Sequence, residues 1–183
     1  MTRLTVIAGP TAVGKGTVVK HILATNPEIR LSISATTRAP RVGEQDGVDY
    51  YFVSHEQFDK MIADGELLEY AVVHLQNKYG TPRKPVEEAL SQGKQIILEI
   101  DIQGAQQVKA SMPDANLIFI APPSLEELNR RLVGRGTESP EEIAIRLKTA
   151  EIELAAKDSF DHVVINNEVA QCAQEVLDLM KSS

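Results

Sequence analysis

Nine residues near the start of the chain, Gly9-Pro10-Thr11-Ala12-Val13-Gly14-Lys15-Gly16-Thr17, have the types and spacing of a phosphate cradle. Gly9 and Gly14 let the backbone turn so that several N–H groups aim at one anion. Lys15 adds a mobile point charge able to reach β- and γ-phosphates. An apolar β-like run, Leu4-Thr5-Val6-Ile7-Ala8, precedes the loop, and a helix-like segment, Val18 to Ala24, follows it. That order sets a helix N-terminus, with its positive partial charge, against the same anion. The plainer alternative is a glycine-rich β–α turn with Lys15 as a solvated surface lysine. One position departs from the usual pattern. Gly16 follows the lysine where a Ser or Thr hydroxyl ordinarily meets magnesium, and Thr17 comes one step later.

A second group begins at Ser34-Ala35-Thr36-Thr37-Arg38-Ala39-Pro40-Arg41. Arg38 and Arg41 stand three apart around a proline-stiffened bend, and guanidinium forks pair bidentately with phosphate. Loop arginines are ordinarily solvated, but beside a phosphate loop this pair suits a terminal monophosphate. Tyr50 and Tyr79 could complete the shell with hydroxyls. Glu69 is an acid within the apolar run Leu67-Leu68-Glu69-Tyr70-Ala71. It is either the solvent face of an alternating strand or a bidentate acceptor for the paired donors, N1–H and N2–H2, of guanine. Thr81 or Ser34 would then meet the remaining polar atoms of the base, O6 among them.

A third group lies further on. Glu99 and Asp101 sit at the end of the apolar run Gln95-Ile96-Ile97-Leu98-Glu99-Ile100. There an acid either ends a strand in an ordinary turn or reaches a magnesium ion and its water shell. Two residues apart in a strand, the pair would share a face. Arg131, Arg135 and Arg146 bracket the flexible turn at 134–136. They are either surface charge on a helix–loop–helix or a lid that neutralises a migrating phosphoryl group.

These groups need a scaffold. Strands are expected at about 3–9, 31–34, 48–53, 67–75, 95–100, 117–120 and 163–165. Helices are expected at about 14–25, 54–65, 85–91, 103–111, 124–133, 139 onward and 170–180, with 35–47 as loop. Strands alternating with helices predict an α/β fold with a parallel sheet flanked by helices, and a small β-rich insertion at 35–81. The 183 residues, 43% of them apolar, suffice for one domain with a good core. No stretch nears the roughly 18 apolar residues of a membrane span, and the start of the chain reads as a strand rather than a signal peptide. A single cysteine, Cys172, forbids an internal disulfide and fits a reducing cytoplasm. Its amphipathic setting suits a buried small hydrophobe better than a nucleophile. The net charge of -7 argues against nucleic-acid binding and leaves room for a small anion held by local arginines. Self-association is left open.

Taken in order along nearly the whole chain, these residues resemble the guanylate kinases of the P-loop nucleoside monophosphate kinase group. Beyond the glycine loop, the resemblance rests on Ser34-x-Thr36-Thr37-Arg38-x-Pro40-Arg41, Gly47-Val48-Asp49-Tyr50, Glu69 and Tyr79-Gly80-Thr81. It continues through Leu98-Glu99-Ile100-Asp101-Ile102-Gln103-Gly104, Ile120-Ala121-Pro122-Pro123-Ser124 and Gly134-Arg135-Gly136-Thr137-Glu138. The resemblance implies transfer of the γ-phosphoryl of ATP to GMP, with magnesium accompanying ATP. It implies a P-loop core at 1–33, 82–124 and 148–183, a GMP-binding insertion at 34–81 and a helical lid at 125–147. Carried over by position, Ser34, Glu69 and Thr81 read guanine with help from Asp101, while Arg38, Arg41, Tyr50 and Tyr79 hold the GMP phosphate. Residues 9–17 hold ATP. Lys15, Arg38, Arg135 and Arg146 serve the reacting phosphoryl group, Arg131 supports them, and Asn166 lies near the adenine. Magnesium falls to Thr17, Glu99 and Asp101, directly or through water. The rivals are a kinase with another acceptor and a kinase-like module that only binds protein partners. Lys15, Arg38 and Arg41 all persist, which disfavours the second.

Overall fold

The computed structural model describes residues 3–73, 76–133 and 140–182. Its core is a five-stranded, all-parallel sheet in the order β2-β7-β1-β8-β9. The strands are β1 (Thr5–Ala8), β2 (Arg30–Leu31), β7 (Ile96–Glu99), β8 (Asn116–Ala121) and β9 (His162–Ile165). The helices are α1 (Lys15–Thr25), α2 (His55–Ala63), α3 (Arg83–Ser91), α4 (Ile102–Ser111), α5 (Leu125–Val133), α6 (Pro140–Ala155) and α7 (Val169–Lys181).

Alternation along the central strands fills two cores. Ile7, Ile97, Ile118 and Ile120 face one way, with Val18, Val19 and Ile22 of α1, Leu128 and Leu132 of α5, and Val176 of α7. Val6, Ala8, Leu98, Leu117 and Phe119 face the other way, with Val86 of α3 and Ala105 and Val108 of α4. A parallel sheet covered on both faces accounts for the unbroken apolar runs of β1, β7 and β8. Cys172 is fully buried in the first core, and burial raises its thiol pKa to about 11.

The insertion is a second sheet in the order β4-β3-β6-β5. Its strands are β3 (Ala35–Thr36), β4 (Tyr51–Phe52), β5 (Leu67–Val73) and β6 (Asn77–Pro82). Here the sequence expectations need correcting. Ala35–Thr36 is a strand rather than the start of a loop, and β6 was not expected at all. A two-residue strand shows no period. β6 carries Gly80 and Pro82, which read as breakers, although Pro82 ends the strand and begins the next helix. By contrast, α2 opens with a complete capping box. Gln57 N–H donates to the Ser54 hydroxyl at 3.1 Å, and Ser54 N–H donates to the Gln57 side chain at 2.8 Å.

Side chains of α4 tie the insertion to the core. The Gln107 amide of α4 donates to the Tyr70 carbonyl at 3.0 Å and accepts from the Tyr70 N–H at 3.1 Å. Ser111 donates to the Leu68 carbonyl at 3.1 Å. Strand β5 is thus bonded to β6 on one edge and to α4 on the other.

Candidate active site

The carboxyl ends of β1, β7 and β8 meet at one end of the sheet, where an open parallel fold collects its ligands. Residues 9–14 leave β1 there as a tight loop. Gly9 has φ 152°, and a Cβ on it would lie 2.3 Å from the Ile120 carbonyl oxygen of β8. No side chain fits so close to a neighbouring strand. Ala12 holds a left-handed backbone, φ 65°, and Gly14 follows at φ 94°. Turns of this hand direct successive N–H groups into one concavity. Gly14 caps α1 without a side-chain hydrogen bond, and no acid stands in the first turn. The N-terminus of α1 therefore has no side-chain cap, in contrast to the closed cap of α2.

Lys15 begins α1 and donates from Nζ to the Gly9 carbonyl at 2.6 Å. Burial lowers its pKa, while Glu99, Glu153 and Asp101 act in the opposite sense. Gly16 faces Glu99, since a Cβ on it would lie 3.4 Å from Oε1 and 3.8 Å from Oε2. Thr17, about 100° further round the helix, is exposed. Desolvation raises the Glu99 pKa against the pull of Lys15 and Lys20. Asp101 lies just past the strand, which ends at Glu99. It is the N-cap of α4, accepting from Gly104 N–H at 2.7 Å. The two acids therefore do not share a strand face.

A cleft of about 190 Å³ opens beside these acids, lined by Ser34, Tyr50, Glu69, Tyr79, Glu99 and Asp101 among others. Glu69 is 6% exposed, which removes the solvent-face reading. The register between β5 and β6 shifts between Leu67 and Glu69, and this bulge breaks the plain alternation. Oε1 of Glu69 accepts from the Thr81 hydroxyl at 2.7 Å. Its Oε2 lies over Gly104, 2.9 Å from where a Cβ would stand. Burial raises the Glu69 pKa, the Thr81 hydroxyl opposes the shift, and Asp101 adds to it. The result is a desolvated carboxylate aimed into a cleft.

Across the cleft, the Arg38 guanidinium lies 5.3 Å from the centre of the Tyr50 ring, and Tyr50 meets Tyr79 edge-on at 6.1 Å. Sequence reasoning missed the residue that organises this corner. Glu44 accepts from Arg38 Nη2 at 2.8 and 3.0 Å and from the Arg41 N–H at 2.7 Å. The Glu44 hydrogen bond raises the Arg38 pKa, and Arg38 in turn lowers that of Glu44. The available signal was the spacing of Arg38, Arg41 and Glu44, three residues each around a bend. The Arg41 side chain is exposed.

Arg131 and Asn166 meet the glycine loop from outside. Arg131 donates to the Val13 carbonyl at 3.2 Å and to the Asn166 carbonyl at 3.2 Å. The Asn166 side-chain amide is 3% exposed and donates to the same Val13 carbonyl at 2.8 Å. Arg135 lies outside the described residues, and Arg146 falls in α6 with its side chain outside the description. Among the described residues no group of three or more His, Cys, Asp or Glu forms a metal cage.

The family model described as guanylate kinase matches residues 1–183. The chain belongs to the guanylate kinase family. It is 61% identical over 177 residues to a guanylate kinase of Leifsonia xyli subsp. xyli, covering 97% of this chain and 70% of the relative. A Streptomyces kasugaensis guanylate kinase is 57% identical over 178 residues, covering 97% and 86%. The crystal structure of guanylate kinase from Anaplasma phagocytophilum superimposes with a TM-score of 0.74 at 34% identity, covering 98% of this chain and 85% of that one. Both the expected family and the expected fold are thereby shown. Among the described residues, no helix of this guanylate kinase family member is long and apolar enough to cross a membrane.

Proposed function

We infer that the protein transfers the γ-phosphoryl group of ATP to GMP, giving ADP and GDP. The observation that carries this reading is the buried Glu69–Thr81 pair, whose carboxylate lines a cleft shared with Glu99, the acid that Gly16 of the glycine loop faces. A carboxylate offers two acceptors to the paired N–H edge of guanine, and adenine has no such edge. Ser34 lines the same cleft and is suited to the base. Arg38, Arg41, Tyr50 and Tyr79 are assigned to the GMP phosphate. The loop N–H groups from Gly9 to Thr17, with Lys15, are assigned to the ATP phosphates. Arg135 and Arg146 are assigned to the migrating group.

Phosphoryl transfer requires positioning and charge neutralisation rather than an enzyme nucleophile. Arg38 and Arg41 hold the acceptor phosphate, and the α1 N-terminus and Lys15 hold the donor. The insertion at 34–81 and a lid drawn from 125–147 would close over the core and exclude water. The residues present fit magnesium, which takes few protein carboxylates and keeps several waters. Gly16 leaves room beside the Glu99 carboxylate. Glu99 and Asp101 would hold the ion largely through water, with Thr17 further off. When bound it supplies charge neutralisation at the phosphates. The cytoplasm is the setting we assign.

The test is ADP release from ATP with GMP, dGMP, AMP, CMP and UMP as acceptors. Turnover with GMP and dGMP alone is expected. Equal turnover with AMP would overturn the guanine assignment, and no turnover with GMP would overturn the whole reading.

A further inference from the structure

The Val13–Gly14 turn of the glycine loop is held at its carbonyl by Arg131 and Asn166, with Glu127 bonded to Arg131. Glu127 and Arg131 stand one turn apart on α5, and Arg131 Nε donates to Glu127 Oε1 at 2.8 Å. Glu127 also binds Arg130 in a fork, at 2.8 and 2.9 Å. Those two guanidiniums hold its carboxyl down at about 2, Arg130 contributing first. With Nε fixed, the Arg131 fork reaches the Val13 carbonyl through Nη1 and the Asn166 carbonyl through Nη2, each at 3.2 Å. Asn166 is itself anchored. Its N–H donates to the Ala121 carbonyl of β8 at 2.8 Å, and its side chain donates to Val13. The amide nitrogen of that side chain lies against Gly14, 2.8 Å from where a Cβ would stand.

Val13 and Gly14 are the residues at which the loop turns into α1. Its inner N–H groups bind phosphate only if the peptide planes at this turn keep their tilt. Two donors on the Val13 carbonyl fix that plane from behind. Leu128 and Leu132 are 0% and 1% exposed, so α5 is seated in the core and gives the latch a rigid base.

We propose that Glu127 is a positioning residue for ATP binding: it orients Arg131, whose guanidinium holds the Val13–Gly14 turn in its phosphate-binding shape. The proposal rests on the reading that this loop takes ATP. Glu127 itself need not touch the nucleotide. A surface ion pair one helical turn long would matter little by itself. This one differs because its cation donates to two backbone carbonyls.

The experiment is titration calorimetry of ATP with magnesium, and separately of GMP, on the wild type and three variants. Glu127→Ala frees Arg131 and keeps a strong helix former at that position, at the cost of one first-turn acid. Arg131→Lys keeps the charge but loses the fork. The double swap Glu127→Arg with Arg131→Glu keeps an ion pair at the same spacing but offers no donor to Val13. In each, the ATP dissociation constant is expected to rise about tenfold, as for the loss of a charge-assisted hydrogen bond that orders a binding loop. The GMP constant should stay within about twofold of wild type. ATP affinity unchanged in the swap would show the pair to be helix surface and overturn the proposal. Parallel loss of both ligands, with a lowered melting temperature, would also overturn it by showing general destabilisation. A wild type that bound no ATP would overturn the functional reading as well.

Discussion

At Glu69, ligand binding and protein stability depend on pH in opposite directions. Its pKa is raised by burial, so the folded state holds a proton that the unfolded chain releases near the ordinary carboxylate value. The stability this group contributes is full below the unfolded pKa and is lost as pH rises through the folded pKa. If Glu69 reads guanine as proposed, recognition needs the ionised form, and GMP affinity should improve over that same rise. Comparing wild type with Glu69→Gln from about pH 4 to pH 7 should show the wild type losing unfolding free energy relative to the variant while its KM for GMP falls. At neutral pH the same substitution should raise the KM for GMP by roughly tenfold or more, consistent with about 1.5–3 kcal/mol for a charged hydrogen bond, and leave the KM for ATP unchanged. Gly9→Ala is the steric counterpart. With Ile120 O only 2.3 Å from the new Cβ, urea unfolding should show a loss of about 1–3 kcal/mol.

At the scale of elements, what was legible followed apolar runs and capping signals. β1, β7 and β8 were readable because both faces are buried, and α2 because its capping box is written in Ser54 and Gln57. β4 fell within the strand expected at 48–53, but β3 is two residues long inside the expected loop and β6 is polar. They exist because Ala35 pairs with Tyr51 and Gly80, residues far off in sequence. The site divided in the same way. Lys15, Arg38 and Glu69 stood out by motif. Glu44 and Glu127 did not, because each acts through an arginine and has no signature of its own. Ser54→Ala should cost about 1 kcal/mol of stability, measured by chemical denaturation, with no change in the KM for ATP.

For the molecule as a whole, Cys172 provides a probe. It is fully buried among Ala173, Val176 and core leucines, and its thiol is shifted up to about 11. A thiol reagent should therefore label it only when the fold opens. GMP at about a hundred times its dissociation constant adds about 2.7 kcal/mol to the folded state. That should slow labelling by about a hundredfold if opening is global. Labelling unaffected by GMP would locate a local opening near α7 instead.

The tie between Gln107 and Tyr70 has a mechanical consequence. It fastens β5 to α4, and Glu69 is the residue just before Tyr70. The arginine corner, by contrast, hangs from β3 and β4 on the opposite side of the small sheet. Any swing of that sheet would then have its axle at Glu69, the residue proposed to read the base, and its rim at Arg38 and Arg41, those proposed to hold the phosphate. Spin labels on α4 and β5 should keep their separation when GMP binds, while labels on α4 and the 38–47 segment should approach. Equal displacement of both pairs would disprove this. The acceptor would enter base first, and its phosphate would be carried to the donor along an arc.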